Sequence, residues 1–361
     1  MSTPGAWLCG IGMMTPVGDC AAQTAASVRA GISRYQESAV YNKRFEPMTL
    51  ALLPEENLPP LNDDLATQPG LTSRQMRMLR LAAPALKEAL QNNAPETPIP
   101  LFLAGPEALP GRPLPVGGVF VNHLEIQAQT HLDLTHSRLY PTGRAGGLQA
   151  LDAALAHLAQ GTHDYVLVGG VDTYLDLYLL GTLDMADRVL ANGVMDGFCP
   201  GEGAGFLLLC SERAKQTRGG TTLAKIHPPG IASEPGHRYS EQPYKGDGLA
   251  QAVSSAIAHA QAQAEMNLGP IRTVFASLNG ENFGAKEWGV ALMRNQSAFD
   301  EAFQLEHPAE YFGDTGAAVG PIMIGLAAMG MSKAHLASPA LVWCSSEFEQ
   351  RGAVCVTLNN Q

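Results

Sequence analysis

The sequence has no cluster of lysine and arginine anywhere along its 361 residues. Its 23 basic residues face 34 acidic ones, for a formal net charge of −11, which argues against nucleic acid or an anionic membrane surface as a partner. Charge of either sign is scarce at 16%, while apolar residues reach 45%. The chain therefore has material for a large core and too little charge for extended disorder. No uncharged run looks able to span a bilayer, because the longest, Met1 to Gly18 and Thr315 to Ser332, contain Pro16 and Pro321 among many glycines. The opening apolar run has no basic stretch ahead of it, so a secretory signal is not expected and a cytoplasmic location is. The 6 cysteines form no CxxC motif and have no nearby histidine at ligand spacing. Free buried thiols are expected, with no metal and no cofactor.

The apolar and turn-forming residues alternate along the chain as strand, turn and helix. Trp7 to Met14 reads as a strand closed by Thr15-Pro16, and Ala21 to Ala30 as a helix. Proline and acidic residues crowd Pro54 to Pro69, which reads as a surface excursion. Leu71 to Asn93 has cap candidates in Thr72 and Ser73 and apolar residues near a 3.6 period. Strands are expected at Ile99 to Leu103 and Gly117 to Val121, separated by a Pro-rich loop from Pro106 to Pro115. A sharp turn, Pro141 to Gly147, then leads into a helix at Leu148 to Gln160, and Tyr165 to Val168 reads as a buried strand. Non-alternating apolar strands between helices suggest a parallel sheet covered on both faces.

The second half repeats this grammar. Strands are expected near Leu223 to Ile226, Arg272 to Ser277, Leu341 to Cys344 and Val354 to Leu358, with helices at Leu249 to Ala264, Lys286 to Phe303 and Thr315 to Met329. No fixed-period repeat is visible in the residues. Two α/β halves are expected, residues 1–211 and 212–361, meeting near Ser211.

The most distinctive segment is Asp196-Gly-Phe-Cys-Pro-Gly-Glu-Gly-Ala-Gly205, which runs directly into the apolar Phe206 to Leu209. Its glycines, Gly201, Gly203 and Gly205 around Glu202, permit close backbone approach just before a buried strand. This segment closely resembles the DGFxPGEGAG signature of β-ketoacyl synthases in the thiolase superfamily. Gly10-Ile-Gly-Met-Met-Thr-Pro-Val-Gly18 resembles that family's first strand and turn, and Leu71 to Leu90 the helix ahead of its nucleophile. Val168-Gly-Gly-Val-Asp172 and Gly313-Asp-Thr-Gly-Ala-Ala318 resemble its post-nucleophile strand and late helix start. The resemblance implies an α/β, five-layer αβαβα thiolase-like fold made of two βαβ-rich halves.

It also implies a cysteine nucleophile assisted by two histidines, and this sequence departs from the pattern at each of those positions. Arg144 stands where the cysteine belongs, and a guanidinium that stays protonated cannot be an acyl nucleophile. Leu278 or Asn279 stands at the first histidine and Asp314 at the second. Ala309 replaces the family's lysine, and Ser345 to Arg351 replaces its Gly-Phe-Gly-Gly segment. A carboxylate normally carries no proton at neutral pH and cannot donate as a neutral histidine does.

No other residue group reads as a substitute. Cys199 has nothing nearby in sequence to lower its pKa. His123, His131 and His136 have no metal-ligand spacing on one helix face, and Asp133, Asp172 and Asp176 read as surface or capping carboxylates. Arg144 falls at a helix N-terminus, where the dipole disfavours a cation. In the family the cysteine and the second histidine must touch, so an Arg144–Asp314 ion pair filling the old pocket is expected, against the alternative of two unrelated losses.

The leading functional expectation is a catalytically inactive ketosynthase-like binding or adaptor subunit, as a homodimer or with a related ketosynthase subunit. Acyl carrier protein is another partner this resemblance suggests. Degenerate thiolase-fold proteins accompany effector operons of bacterial contact-dependent secretion systems, which makes a secretion effector a further candidate. The alternative is a non-catalytic partner of an active ketosynthase, of the chain-length-factor kind, which implies an open apolar tunnel. A third reading keeps acyl transfer or hydrolysis without a covalent intermediate, with Asp314 or Glu281 as base.

Overall fold

The computed structural model describes residues 3–91, 95–109, 114–218, 222–263 and 268–358. The chain opens with β1 (Ala6–Met14) and α1 (Ala21–Arg29), then a hairpin of β2 (Gln36–Tyr41) and β3 (Pro47–Leu50), then the short α2 (Asp63–Ala66). α3 (Ser73–Leu90) starts at a capping box in which the Thr72 hydroxyl accepts from the Gln75 amide and the Gln75 side chain accepts from the Thr72 amide. β4 (Leu101–Ala104), α4 (Phe120–Ala128), β5 (Arg138–Tyr140), α5 (Gly146–Ala159), β6 (Tyr165–Thr173), α6 (Leu177–Met185) and β7 (Glu202–Cys210) follow.

Beyond α7 (Glu212–Arg218) come β8 (Ala224–Ile226), β9 (Gly230–Ser233), α8 (Asp247–Gln263), β10 (Ile271–Ala276) and α9 (Asn282–Arg294). β11 (Phe299–Glu306), α10 (Ala309–Phe312), α11 (Val319–Ser332), β12 (Ala340–Ser345) and β13 (Gln350–Leu358) complete the order.

The strand pairing repeats. In the order β5-β4-β6-β7-β1 the first two contacts are parallel and the last two antiparallel. The order β11-β10-β12-β13-β9 has the same sequence of senses. β8 pairs with both β1 and β13 and so joins the two arrays at one edge. Three apolar cores separate the layers. α3 and α4 cover one array, α8 and α9 cover the other, and α5 and α11 lie between them.

Side-chain alternation on β1 shows why the layers form: Leu8, Ile11 and Met13 enter the central core and Trp7, Cys9 and Met14 the outer one. Gly10 and Gly12 admit α3 directly onto the strand, since a Cβ there would lie 2.0 Å from the Ala89 carbonyl oxygen and 1.8 Å from that of Ala85. The central α11 is buried along most of its length, as its nearly continuous apolar sequence requires.

The α/β class and the layered architecture are those expected. The sheet is mixed rather than parallel, because β1, β7 and β13 run against their neighbours. Gly117 to Val121 is not a strand. It leads into α4, whose buried Phe120, Val121 and Leu124 follow helical spacing. The Lys286 to Phe303 segment is not one helix either: α9 ends at Arg294, and Phe299 begins β11, which pairs with β10. Asn92, Asn93, residues 110–113 of the Pro-rich loop and Ala264 lie outside the described residues. No described helix is long and apolar enough to cross a membrane. No disulfide forms among the described residues, and five of the 6 cysteines are buried.

Candidate functional site

The repeated topology gives α5 and α11 equivalent places, and each begins in a short 3-10 turn, Gly143–Ala145 and Gly316–Ala318. The two turns touch at the centre of the molecule. Arg144 lies in the first, and Asp314 stands two residues before the second. The glycine loop fixes Asp314 from below: the Gly201 amide donates to the Asp314 carbonyl at 2.9 Å, and the Asp314 amide to that of Cys199 at 2.8 Å. A Cβ at Gly201 would lie 2.4 Å from the Phe312 carbonyl oxygen, so this approach needs glycine. Glu202, fully buried, turns to the other side and accepts from Arg77 Nε at 2.6 Å, Thr173 Oγ1 at 2.8 Å and the Leu53 amide at 2.8 Å.

Arg144 is 7% exposed and its guanidinium is held on three sides. Nε donates to Asp314 Oδ2 at 2.9 Å, Nη2 donates to the same oxygen, and Nη1 donates to Glu347 Oε1 at 2.9 Å. Asn279 Nδ2 also donates to Asp314 Oδ2, at 2.9 Å, and Asp314 Oδ1 accepts the Gly316 amide at 2.9 Å. Glu347 accepts in turn from Arg188 Nη1 and Nη2, both at 2.9 Å. Arg188 forms a two-pronged pair with Glu281 at 2.7 and 2.8 Å, and Arg238 bridges Glu281 and Glu347 at 3.1 Å to each. Arg144, Arg188 and Arg238 thus balance Asp314, Glu281 and Glu347 in one continuous network, the condition under which buried charge is tolerated. The helix dipole favours Asp314 at the start of α11 and disfavours Arg144 at the start of α5. The carboxylates supply what Arg144 lacks.

Burial opposes the charge on Arg144, but Asp314 and Glu347 keep it protonated well above its ordinary range. Burial alone would raise Glu347, yet the Arg188 and Arg144 guanidinia override it and hold its carboxyl well below the usual carboxylate range. Glu107 behaves oppositely. Burial and the charge of Glu347 push it up to about 8, and its Oε1 accepts the Glu347 amide at 2.7 Å. Burial and Asp314 push the Cys199 thiol up to about 12, so no thiolate forms there at neutral pH.

The Glu107 shift has a testable sign. Between about 4.5 and 8 the unfolded chain releases a proton that the folded chain keeps, so this residue makes stability fall as pH rises. Relative to Glu107→Gln, the native protein should lose at most about 1.4 kcal/mol per pH unit across that window. Urea midpoints of both proteins at pH 5 and pH 8 read the difference.

The expected Arg144–Asp314 pair is present, and Asn279 rather than Leu278 reaches it. Ala309 stands apart in α10, where its carbonyl accepts the Tyr35 hydroxyl at 2.7 Å. Asp176 caps α6 as read, its Oδ1 accepting the Leu179 amide at 2.8 Å. Asp172 is not a surface carboxylate: it is buried, paired with Arg74 at 2.9 Å, and burial raises it despite that partner. Glu347, Arg188 and Arg238 were not legible as members of the site. Their signal was chemical, since in a chain so poor in charge each charged residue beside buried strands needs a partner.

The space around Arg144 is small. Two cavities of about 30 Å³ flank it, one lined by Arg74, Asp172, Tyr174 and Glu347, the other by Arg238, Asn279, Glu281 and Ser346. Each has room for about one water. An apolar tunnel is therefore not found at this site among the described residues. A wider cleft of about 620 Å³ lies over Arg44, Arg188, Met195 and Arg238.

Residues 138–215, which include Arg144 and the glycine loop, match the family model "Beta-ketoacyl synthase, N-terminal domain". The ishigamide ketosynthase/chain length factor superposes with a TM-score of 0.76 at 14% identity, covering 99% of this chain and 100% of that one. This is a ketosynthase-fold chain. A β-ketoacyl synthase from Burkholderia phymatum gives the same TM-score and coverage at 17% identity. So does a type II polyketide ketosynthase solved in complex with its acyl-carrier protein, at 16%. No curated relative matches the ketosynthase-fold chain by sequence.

Proposed function

We propose that this chain is a condensation-incompetent ketosynthase-fold subunit that works by binding protein, as the chain-length-factor half of a ketosynthase pair. One observation carries the reading. The side chain standing where the fold family places its nucleophile is a buried, permanently protonated guanidinium, locked by Asp314, Glu347 and Asn279. Arg144 cannot attack a thioester, and Asp314, committed to Arg144 and to the Gly316 amide, has no position from which to act as a base. The two cavities flanking Arg144 leave no room for an acyl chain, so the reading rests on pairing with a ketosynthase and not on the open apolar tunnel expected of a chain-length factor, which is not found at this site among the described residues.

What supports a partner is the free flank of the sheet. β5 is a sheet edge, pairing only with β4 among the described strands, and the segment leading to it exposes Leu114, Val119, Ile126 and Leu134. An edge strand beside exposed apolar side chains is a surface that proteins cover. A ketosynthase is favoured as the occupant of this flank because the ishigamide protein of this fold is itself a ketosynthase/chain length factor.

The test is capture of the tagged full chain from native lysate, followed by native mass spectrometry. A stoichiometric complex with a cysteine-bearing ketosynthase supports the proposal; an unrelated protein alone points instead to an adaptor. The paired change Ile126→Asp with Leu134→Asp, on exposed positions, should weaken the complex at least about tenfold, or roughly 1.4 kcal/mol, while leaving the melting temperature unchanged.

A further inference from the structure

The ion-pair centre does not account for a second constellation at the other end of α5. Asp133 and His136 precede β5, His157 ends α5, and His163 lies in the turn before β6. His136 Nδ1 lies 2.7 Å from Asp133 Oδ2, and His163 Nε2 lies 3.1 Å from the same oxygen. The imidazoles of His136, His157 and His163 have their centroids 5.0 to 5.5 Å apart. Along the sequence His136 has no metal-ligand spacing, and nothing there links it to His157 or His163. The fold brings the three rings and the carboxylate together.

We propose that Asp133, His136 and His163 form a divalent transition-metal site suited to Zn²⁺. One nitrogen or oxygen from each of the three lies within 4.8 Å of the others. Bonds of about 2.0 to 2.2 Å to a common ion place tetrahedral donors a little over 3 Å apart, so the two distances to Asp133 need adjustments of well under a bond length. Two imidazoles and one carboxylate match the donor set of open zinc sites, with the fourth position left to water. The ligands are only partly buried, with side-chain exposures of 42% for His136, 19% for Asp133 and 17% for His163, which leaves the ion a path in.

The surroundings hold the donors in the orientation a metal requires. Asp133 Oδ1 accepts the Thr135 and His136 amides at 3.0 and 3.2 Å, which turns Oδ2 toward the two imidazoles. His163 Nδ1 lies 2.9 Å from His157 Nε2, so that His157 positions the ring while Nε2 faces Asp133. Arg138, the nearest cation in sequence, is held by the Thr135 and Ser137 carbonyls at 2.8 Å each. A bound ion would tie the approach to β5 to the α5–β6 connection. The inference is independent of the proposed function.

The probe is Zn²⁺ alone, added to full-length protein stripped with a chelator. Calorimetric titration should show one ion per chain at micromolar affinity or tighter. Melting temperature should rise by a few degrees at saturation, and Co²⁺ should give the intense visible bands of a tetrahedral site. Asp133→Ala, His136→Ala or His163→Ala should weaken binding more than about 100-fold, and His157→Ala about 10- to 100-fold. His123→Ala and His131→Ala should leave it unchanged. In the unsubstituted protein, long-range ¹H–¹⁵N spectra should show Zn²⁺ shifting His136 Nδ1 and His163 Nε2, a readout that needs no variant to fold. Binding only at millimolar zinc, or binding that survives loss of both His136 and His163, overturns the proposal.

Discussion

Replacing Arg144 with methionine should cost about 3–5 kcal/mol of stability, the usual consequence of removing one partner from a buried ion pair. The change keeps most of the volume and removes the charge. Asp314 then retains only the Asn279 amide and the Gly316 N–H, and Glu347 loses one of its three arginines. Both carboxylates remain buried. Adding Asp314→Asn to Arg144→Met should recover part of the loss, with a coupling of roughly 0.5–3 kcal/mol, because the second change neutralises the charge the first one strands. Arg144→Lys should fall between: it keeps the charge and loses the planar fork that reaches Asp314 and Glu347 together. Urea unfolding of these proteins, with Asp314→Asn alone completing the cycle, measures these differences as midpoint shifts at constant slope.

Arg351→Ala is expected to be as damaging, for a reason farther from the site. Arg351 and Glu287 are both fully buried and paired at 2.5 Å. Arg351 Nη1 also donates to the carbonyls of Ser346 at 3.0 Å and Gln350 at 2.8 Å, so this one side chain pins the turn that presents Glu347 to Arg144 and Arg188. Its loss leaves Glu287 uncompensated and releases that turn, for about 3–5 kcal/mol. The double change Arg351→Met with Glu287→Leu should restore most of the stability, since an apolar pair of similar volume replaces a buried ion pair at little cost. It should not restore all of it, because the turn carbonyls lose their donor. Equilibrium unfolding of the single and double variants separates the two contributions.

Much of this architecture was legible in the sequence, because apolar periodicity and glycine placement report local packing directly. The apolar Trp7 to Met14 run marked β1, and the Asp196 to Gly205 loop marked the start of the buried β7. Strand sense was not legible: β6 and β7 read as buried runs whichever way they point, so the antiparallel pairs were missed. Phe120 and Val121 were too few apolar residues to separate a strand from the first turn of α4. Arg144 and Asp314 could be paired from sequence because the resemblance set both at one centre. Glu347, Arg188 and Arg238 come from three further loops, and His157 meets His136 across the β5–α5 connection. Contacts of that kind are made by tertiary closure and leave no spacing to read.

The decisive measurement is the intact mass of the purified chain after incubation with acyl-CoA and acyl-carrier donors. With Arg144 protonated and held by Asp314 and Glu347, and with Cys199 kept as a thiol, the mass should stay unchanged. A stoichiometric acyl adduct that peptide mapping places on any residue around Arg144 would contradict the account.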